Sequence, residues 1–401
     1  MIPPSILDRL TVLGPGLPPI PERLLLAHAR GEVLFVTGAG ISQPAGLPDF
    51  RCLVVDTYAR LDKAVHAVVA SIPRGVCNQW SPTSVGLRDD QAAEVRRFIN
   101  GDYDVVLGML ERRMDNKSAK TSEVRQTIAQ ILRDRAAKPA PIHRALIRLA
   151  DRGVALTIVT TNFDRLLEDA YREKGPLQTY TLGGIPRPTL SKEFSGVLHI
   201  HGALDRNSAR TSDLIVSDHD FGEFYLRRRV VPDFIYDAAR LFHLVLVGYS
   251  ANDPPMRYLL NAVAADGSRF NDIKERFTFI GMGASDPVVL EDWKGRGITP
   301  IPYDDADDHA ELRRVLERWA SLSANNGKRS VVEAEIRRIV KTPRAASTDA
   351  DRDLFDHLFR RENKNTHERM RLSALASAAK ADMGWLDGIA DLLAESHRGQ
   401  N

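Results

Sequence analysis

The chain has 401 residues, 43% apolar and 27% charged, with 55 basic against 53 acidic residues and a formal net charge of +2. That length suits one large α/β domain with an accessory part, and so even a charge balance excludes a general pull toward nucleic acid or membrane. Two cysteines, Cys52 and Cys77, outside any C-x-x-C pair, exclude a four-cysteine zinc site and a disulfide framework and fit a reducing cytosol. The opening Met1-Ile2-Pro3-Pro4 has no basic segment leading into an apolar run, so no signal peptide is expected. No apolar stretch reaches about 18 residues, the usual minimum for a membrane span; a soluble, cytoplasmic protein is expected.

Along the chain, Glu22 to Arg30 predicts a helix, and Val33-Leu34-Phe35-Val36 a buried strand that runs into a glycine loop. From Cys52 to about Lys138 the pattern is helical, broken near Pro73-Arg74-Gly75 and Ser81-Pro82-Thr83, and reads as an insertion (52–138). The α/β rhythm resumes with a helix at His143–Asp151, a strand at Ala155–Thr160 and a helix from Asp164 to Glu173. Further strands are predicted at Val197–Ile200, Leu214–Ser217, Leu244–Gly248, Phe277–Gly281 and Ile298–Ile301, with helices at Pro255–Ala265 and His309–Ser321. Alternation of this kind predicts an α/β, Rossmann-like parallel sheet with helices on both faces. Beyond Ser323 the sequence becomes charged helix with a break at Pro343. It closes on a stripe of Leu372, Leu375, Ala379, Met383, Leu386, Ile389 and Leu393 at helical spacing. The predicted organisation is a catalytic domain over 1–323 and a C-terminal helical tail over 324–401. The stripe packs either on its own domain or on a neighbouring subunit, and the expectation favours assembly.

The candidate chemistry begins at Thr37-Gly38-Ala39-Gly40-Ile41-Ser42. Closely spaced glycines after a strand let backbone amides approach a pyrophosphate, and a helix starting there adds favourable dipole; the same glycines also serve tight turns with no ligand. Asn162 and Asp164 follow a predicted parallel strand, where α/β sheets bind ligands. They suit positioning a water or ribose hydroxyl and accepting from a carboxamide, or else capping the next helix. His201, at another strand end, suits a base or an orienting group for ribose hydroxyls. His199 is expected on the opposite side of that strand in a structural role.

Gly38 through Arg51, ending in Gly46-Leu47-Pro48-Asp49-Phe50-Arg51, resembles the sirtuin superfamily's first motif. Pro141-Ile142-His143-Arg144-Ala145-Leu146, Thr160-Thr161-Asn162-Phe163-Asp164, His199-Ile200-His201-Gly202 and Val247-Gly248-Tyr249-Ser250 resemble further sirtuin blocks in order and spacing. The resemblance spans roughly residues 30–320. It implies NAD as substrate, with Asn162 and His201 catalytic. It also implies cofactor contacts from Gly38, Ala39, Gly40, Ser42, Asp49, Phe50, Arg51, Thr160, Asp164, Gly248 and Ser250. Phe50 would cover the nicotinamide ribose, unless it merely packs the loop, and Arg51 would meet phosphate or an acidic neighbour.

The departures are as informative. The zinc module of deacylating sirtuins is missing, Thr161 replaces a glutamine, and no acyl-lysine channel is legible. Asp205 to Leu244 instead carries Asp218-His219-Asp220 and Arg227-Arg228-Arg229. These features are similar to zinc-free NAD hydrolases of bacterial anti-phage defence. They imply NAD hydrolysis without metal, a homo-oligomer, and a HerA-type hexameric DNA-translocating ATPase as partner, with no membrane and no direct sequence-specific nucleic-acid contact. The rival readings are a protein deacylase or ADP-ribosyltransferase, and a non-catalytic NAD- or ADP-ribose-binding subunit.

Overall fold

A computed structural model describes residues 9–74, 86–115, 122–171, 175, 177–204, 214–249, 260–261, 263, 273–282, 287–362 and 365–398. Two short strands, Leu10–Val12 (β1) and Pro19–Pro21 (β2), pair antiparallel. The main sheet consists of Val33–Thr37 (β3), Thr157–Thr160 (β4), Thr179–Thr181 (β5), Gly196–His199 (β6), His243–Val247 (β7), Arg276–Gly281 (β8) and Ile298–Tyr303 (β9). All its pairings are parallel, in the order β5-β6-β4-β3-β7-β8-β9. The chain builds outward from β3 through β4 to β6, then returns to β3's other side at β7. That reversal is the topological switch point of a Rossmann-like sheet, where ligands bind beyond the carboxyl ends of the strands.

Both faces are covered, because successive residues of a strand point to opposite sides. Val33, Phe35, Val245 and Val247 join one buried cluster with Leu146 and Trp319 from the helices Pro141–Ala150 and Ala306–Leu322. Leu34, Val36, Leu244 and Leu246 join another with Phe234 and Ile235 of the helix Val230–Leu241. The insertion is helical as expected, with Phe50–Leu61, Lys63–Val69, Asp89–Ile99, Tyr103–Asp115 and Glu123–Asp134 closing on a third cluster. Among the described residues no helix is long and apolar enough to cross a membrane.

Two expectations are corrected. Leu214–Ser217 is buried but is not a strand. Its backbone bonds elsewhere: Ile215 N donates to His201 O (2.9 Å), Leu214 O accepts from Arg125 (2.7 Å), and Val216 N donates to Asp220 Oδ2 (3.0 Å). The sheet position next to β6 is filled by β5, a three-residue strand too short to register in the sequence pattern. The C-terminal stripe belongs to two helices, Thr366–Ala378 and Met383–Arg398, with Lys380 at φ 60° between them. The predicted helix Pro255–Ala265 lies mostly outside the described residues.

The tail packs within its own chain. Leu358, Phe359, Leu372, Trp385 and Ile389 share a cluster with the sheet residues Phe35 and Val245, and of the predicted stripe Met383 stands exposed. Buried Glu22, near the chain's start, is gripped by Arg360 (3.0 Å). Trp385 Nε1 donates to Thr342 O (2.8 Å). Because Trp385 is fully buried, Trp385→Ala is expected to cost about 3–5 kcal/mol in denaturant unfolding. A loss below about 1 kcal/mol would mean that these helices contribute little to the core.

Candidate active site at the carboxyl end of the sheet

The loop after β3 and the loop after β7 lie backbone against backbone. Gly38 N donates to Val247 O (3.1 Å) and Gly40 N to Gly248 O (2.9 Å). A Cβ on Gly38 would sit 2.6 Å from Gly248 O, and one on Gly40 2.8 Å from Gly248 Cα. Gly248 itself adopts φ 60° with its missing Cβ facing Ile41 N. The glycines are therefore required by loop-on-loop packing. The expected anion cradle is revised in one respect. No α-helix starts at the glycines themselves: single 3-10 turns at Ala39–Ile41 and Gln43–Ala45 come first, the next α-helix begins only at Phe50, and the Ile41 and Ser42 amides already donate to Gly38 O and Ala39 O.

Ser42 is the hub. Its buried hydroxyl donates to Asp164 Oδ2 (2.9 Å) and accepts from Asn162 Nδ2 (3.1 Å). His143 Nδ1 accepts from Ala140 N (3.1 Å), so the proton of this neutral ring lies on Nε2, which points at Ser42 Oγ (3.4 Å). Burial lowers the His143 pKa to about 4, which keeps it neutral. The hydroxyl's one hydrogen and two lone pairs are then all engaged. Asn162 Nδ2 also donates to Gly38 O (3.1 Å), an acceptor only, which fixes the amide's orientation. With both Nδ2 hydrogens committed, the atom the side chain can offer a ligand is Oδ1, an acceptor. Asp164 Oδ1 accepts from Leu166 N (3.0 Å) at the start of the helix Leu166–Tyr171, and burial raises its carboxyl above the usual range.

The segments after β4 and β6 run side by side at this end of the sheet, through Ile200 N to Thr160 O (3.0 Å) and Leu204 N to Phe163 O (2.8 Å). Residues two apart in a strand share a face, so the strand itself does not set His199 and His201 on opposite sides as expected. β6 ends at His199 and the chain turns there. His199, fully buried, directs Nδ1 to Asn162 O (2.8 Å) and Nε2 to Glu168 Oε1 (3.0 Å), so both nitrogens face acceptors. Burial pushes the Glu168 carboxyl up, but its bonds from His199 and Thr179 outweigh this and hold it below the usual range. His201 lies apart from the Ser42 hub. Its Nε2 meets Tyr225 OH (2.6 Å), its ring stands edge-to-face with Phe221 and Tyr225, and burial lowers its pKa to about 3.

Asp49, Phe50, Arg51 and Thr160 have internal partners. Asp49 caps the helix Phe50–Leu61 through Cys52 N (2.7 Å) and pairs with Arg74 (2.6 Å). Phe50 packs edge-to-face on Tyr103, and Arg51 meets Ile72 O and the Phe98 ring. Thr160, fully buried, donates to Thr37 O (3.3 Å) and accepts from Asn162 N (3.1 Å). Ala39 flanks the close-packed loop, half-buried; Ser250 lies outside the described residues. A cavity of about 800 Å³ lined by Arg187, Arg228, Tyr236 and Arg240 includes none of the predicted residues. His143, Glu168 and Tyr225 escaped the sequence reading. His143 lies in the sirtuin-like block Pro141–Leu146 and was legible in principle, whereas Tyr225 sits in no motif.

Residues 156–301 match the family described as SIR2-like domain. A protein of Sinorhizobium fredii (strain NBRC 101917 / NGR234), "Uncharacterized protein y4cA", is 30% identical over 425 residues, covering 98% of this chain and 32% of its own length. This chain thus spans about a third of that curated relative. Solved structures with similarity include a Sir2 homologue–NAD complex (18% identity, 75% of this chain and 92% of that one, TM-score 0.36). Another, from work on the mechanism and regulation of Sir2 enzymes, is 15% identical over 75% and 95% of the two chains, TM-score 0.39.

Ser42→Ala removes the acceptor of Asn162 Nδ2 and His143 Nε2 and the donor to Asp164. It should cost about 1–3 kcal/mol in chemical unfolding at neutral pH. An unfolding midpoint equal to wild type would show that the hydroxyl is not the hub.

Proposed function

We propose that the protein hydrolyses NAD at its nicotinamide–ribose bond. The observation that carries the reading is the Asn162 amide, anchored through nitrogen to Gly38 and Ser42 so that its oxygen is the group available to a ligand. It sits beyond the end of β4, next to the switch point where Rossmann-like sheets bind nucleotides. The SIR2-like match over 156–301 and the ordered sirtuin-like blocks support NAD as the substrate.

In this reaction the ribose C–N bond breaks with its electron pair leaving on the nicotinamide nitrogen. Water forms the new C–O bond and gives up a proton, so NAD and water yield nicotinamide, ADP-ribose and a proton. Nicotinamide departs readily because it is cationic while bound, so the site has chiefly to stabilise an oxocarbenium-like ribose and direct one nucleophile. Asn162 Oδ1 accepts from that water or from a ribose hydroxyl. His201, neutral in its apolar surroundings, acts as base or orients the ribose hydroxyls. Gly38, Ala39, Gly40, Ser42, Asp49, Phe50, Arg51, Thr160, Asp164, Gly248 and Ser250 form the proposed cofactor-contact set, Ser42 and Thr160 by holding Asn162 in place.

The wider proposal is a zinc-free, homo-oligomeric NAD hydrolase of anti-phage defence, with a catalytic unit over 1–323 and a HerA-type ATPase as partner; because the apolar stripe of 324–401 is covered within the chain, an assembly role for that region would use its outer face. Its support is the sirtuin-like motif set without a four-cysteine module.

Asn162→Ala and His201→Ala should each abolish nicotinamide release, followed by chromatography of products, while circular dichroism stays native. Wild-type turnover in either folded variant removes that residue from the mechanism. His199→Ala should instead lower the melting temperature more than it lowers turnover, since it leaves Glu168 buried without its main partner. Exhaustive chelation should leave turnover unchanged; loss restored by added zinc would reveal a metal-dependent step.

A further inference from the structure

The segment from Leu214 to Arg227 lies outside the residues assigned to the proposed reaction. Residues Leu214–Val216 run buried beneath the insertion and lead into the short helix Asp218–Phe221. The helix continues as one π-helical turn, Gly222–Arg227, in which Arg228 N bonds Glu223 O five residues back (2.8 Å). Such turns change where side chains project and are frequent at functional sites.

This turn is bolted down from both sides. Asp220 accepts from Val216 N, Ser217 N and Ser217 Oγ (3.0, 3.0 and 2.9 Å) and from Arg125 Nη2 (2.7 Å). Arg125, itself buried, comes from the insertion and also binds Glu111 (2.8 Å) and Leu214 O (2.7 Å). Nearby, Arg112 pairs with Asp218 (3.2 Å). A buried and mutually satisfied network of this kind holds its members in one arrangement.

What the network holds in place is a clamp on His201. Phe221 meets the imidazole at 88° with centroids 5.6 Å apart, Tyr225 at 64° and 5.9 Å, and the two clamping rings touch each other at 5.3 Å. Tyr225, 3% exposed, places its hydroxyl 2.6 Å from His201 Nε2. A neutral imidazole carries one N–H and one lone pair, and which nitrogen has the proton is set by the partner of the other. The Tyr225 hydroxyl can donate to Nε2 or accept from it, and whichever it does fixes which ring nitrogen offers a lone pair and which an N–H.

We propose that Tyr225 is a positioning residue for His201, its hydroxyl selecting one neutral tautomer and one ring orientation, with the Arg125–Asp220 network making that placement depend on the helical insertion. The inference rests on the reading of His201 as base or orienting group in NAD hydrolysis.

Tyr225→Phe keeps the ring and removes the hydroxyl. In steady-state NAD hydrolysis by the full chain, kcat should fall at least about 10-fold while KM stays within about twofold, the pattern of a misplaced group that acts on the reacting centre. Side-chain nitrogen NMR of the resting protein, labelled at histidine and with His201 assigned through His201→Gln, gives a second readout. Wild type should show one neutral tautomer at His201, and Tyr225→Phe a mixture. An unchanged or increased kcat, or a tautomer mixture already present in wild type, overturns the proposal. If wild type does not hydrolyse NAD, the functional reading fails by itself. The NMR comparison then still decides on Tyr225, because identical His201 nitrogen shifts in wild type and Tyr225→Phe overturn it.

Discussion

Two backbone loops meet at the carboxyl ends of β3 and β7 more closely than side chains permit, with glycine at Gly38, Gly40 and Gly248 because a Cβ at any of them would fall 2.6–2.8 Å from the opposing chain. This contact sets the geometry of the site. It ties the loop after β3 to the strand that returns from the far half of the sheet, and so fixes Ser42 in depth and direction. From that position one hydroxyl reaches Asn162, Asp164 and His143 at once. Widening the loop contact by even a methyl group would displace the hydroxyl that three other side chains depend on.

Burial then sets the protonation of the surrounding groups. His143 and His201 lie where a charged imidazole is unfavourable, and their pKa values fall to about 4 and about 3. His199 is equally buried but faces a carboxylate and a carbonyl, the surroundings of a structural tie between β6 and the segment after β4. Similar residues two positions apart in sequence thus acquire different chemistry from what packs against them. The apolar walls around His201 keep its ring neutral, and the same burial weakens it as a proton acceptor.

The insertion and the tail serve the sheet differently. The insertion has its own apolar cluster, which extends to Leu204, Leu214 and Val216. Through Arg125 it reaches the segment that walls His201. The tail contributes to the cluster that holds Phe35 and Val245 and ties itself to the helix Glu22–Ala29 through Glu22 and Arg360. One therefore lies next to the candidate chemistry, while the other completes the core behind it.

Much of this was legible beforehand. The β-branched and aromatic run Val33–Val36, the runs at Leu244 and Phe277, and the alternation of strands with helices determined a parallel α/β sheet, because period-two and period-3.6 patterns are local properties of a chain. The ordered motif blocks marked Gly38, Asn162 and His201, and counting cysteines excluded a four-cysteine zinc module. Other features were decided only by tertiary structure. Leu214–Val216 has the composition of a strand, but Arg125 and Asp220, remote in sequence or spent on the local turn, satisfied its backbone groups first. The Leu372–Leu393 stripe announced an apolar face without saying what would cover it, and packing within the chain supplied the cover. Tyr225 carries no motif, and its hydroxyl matters only because a π turn directs it at a histidine 24 residues earlier in the chain. Local sequence encodes which face of an element is apolar; the partner of that face, and the partner of a buried nitrogen, are set by contacts between distant parts of the chain.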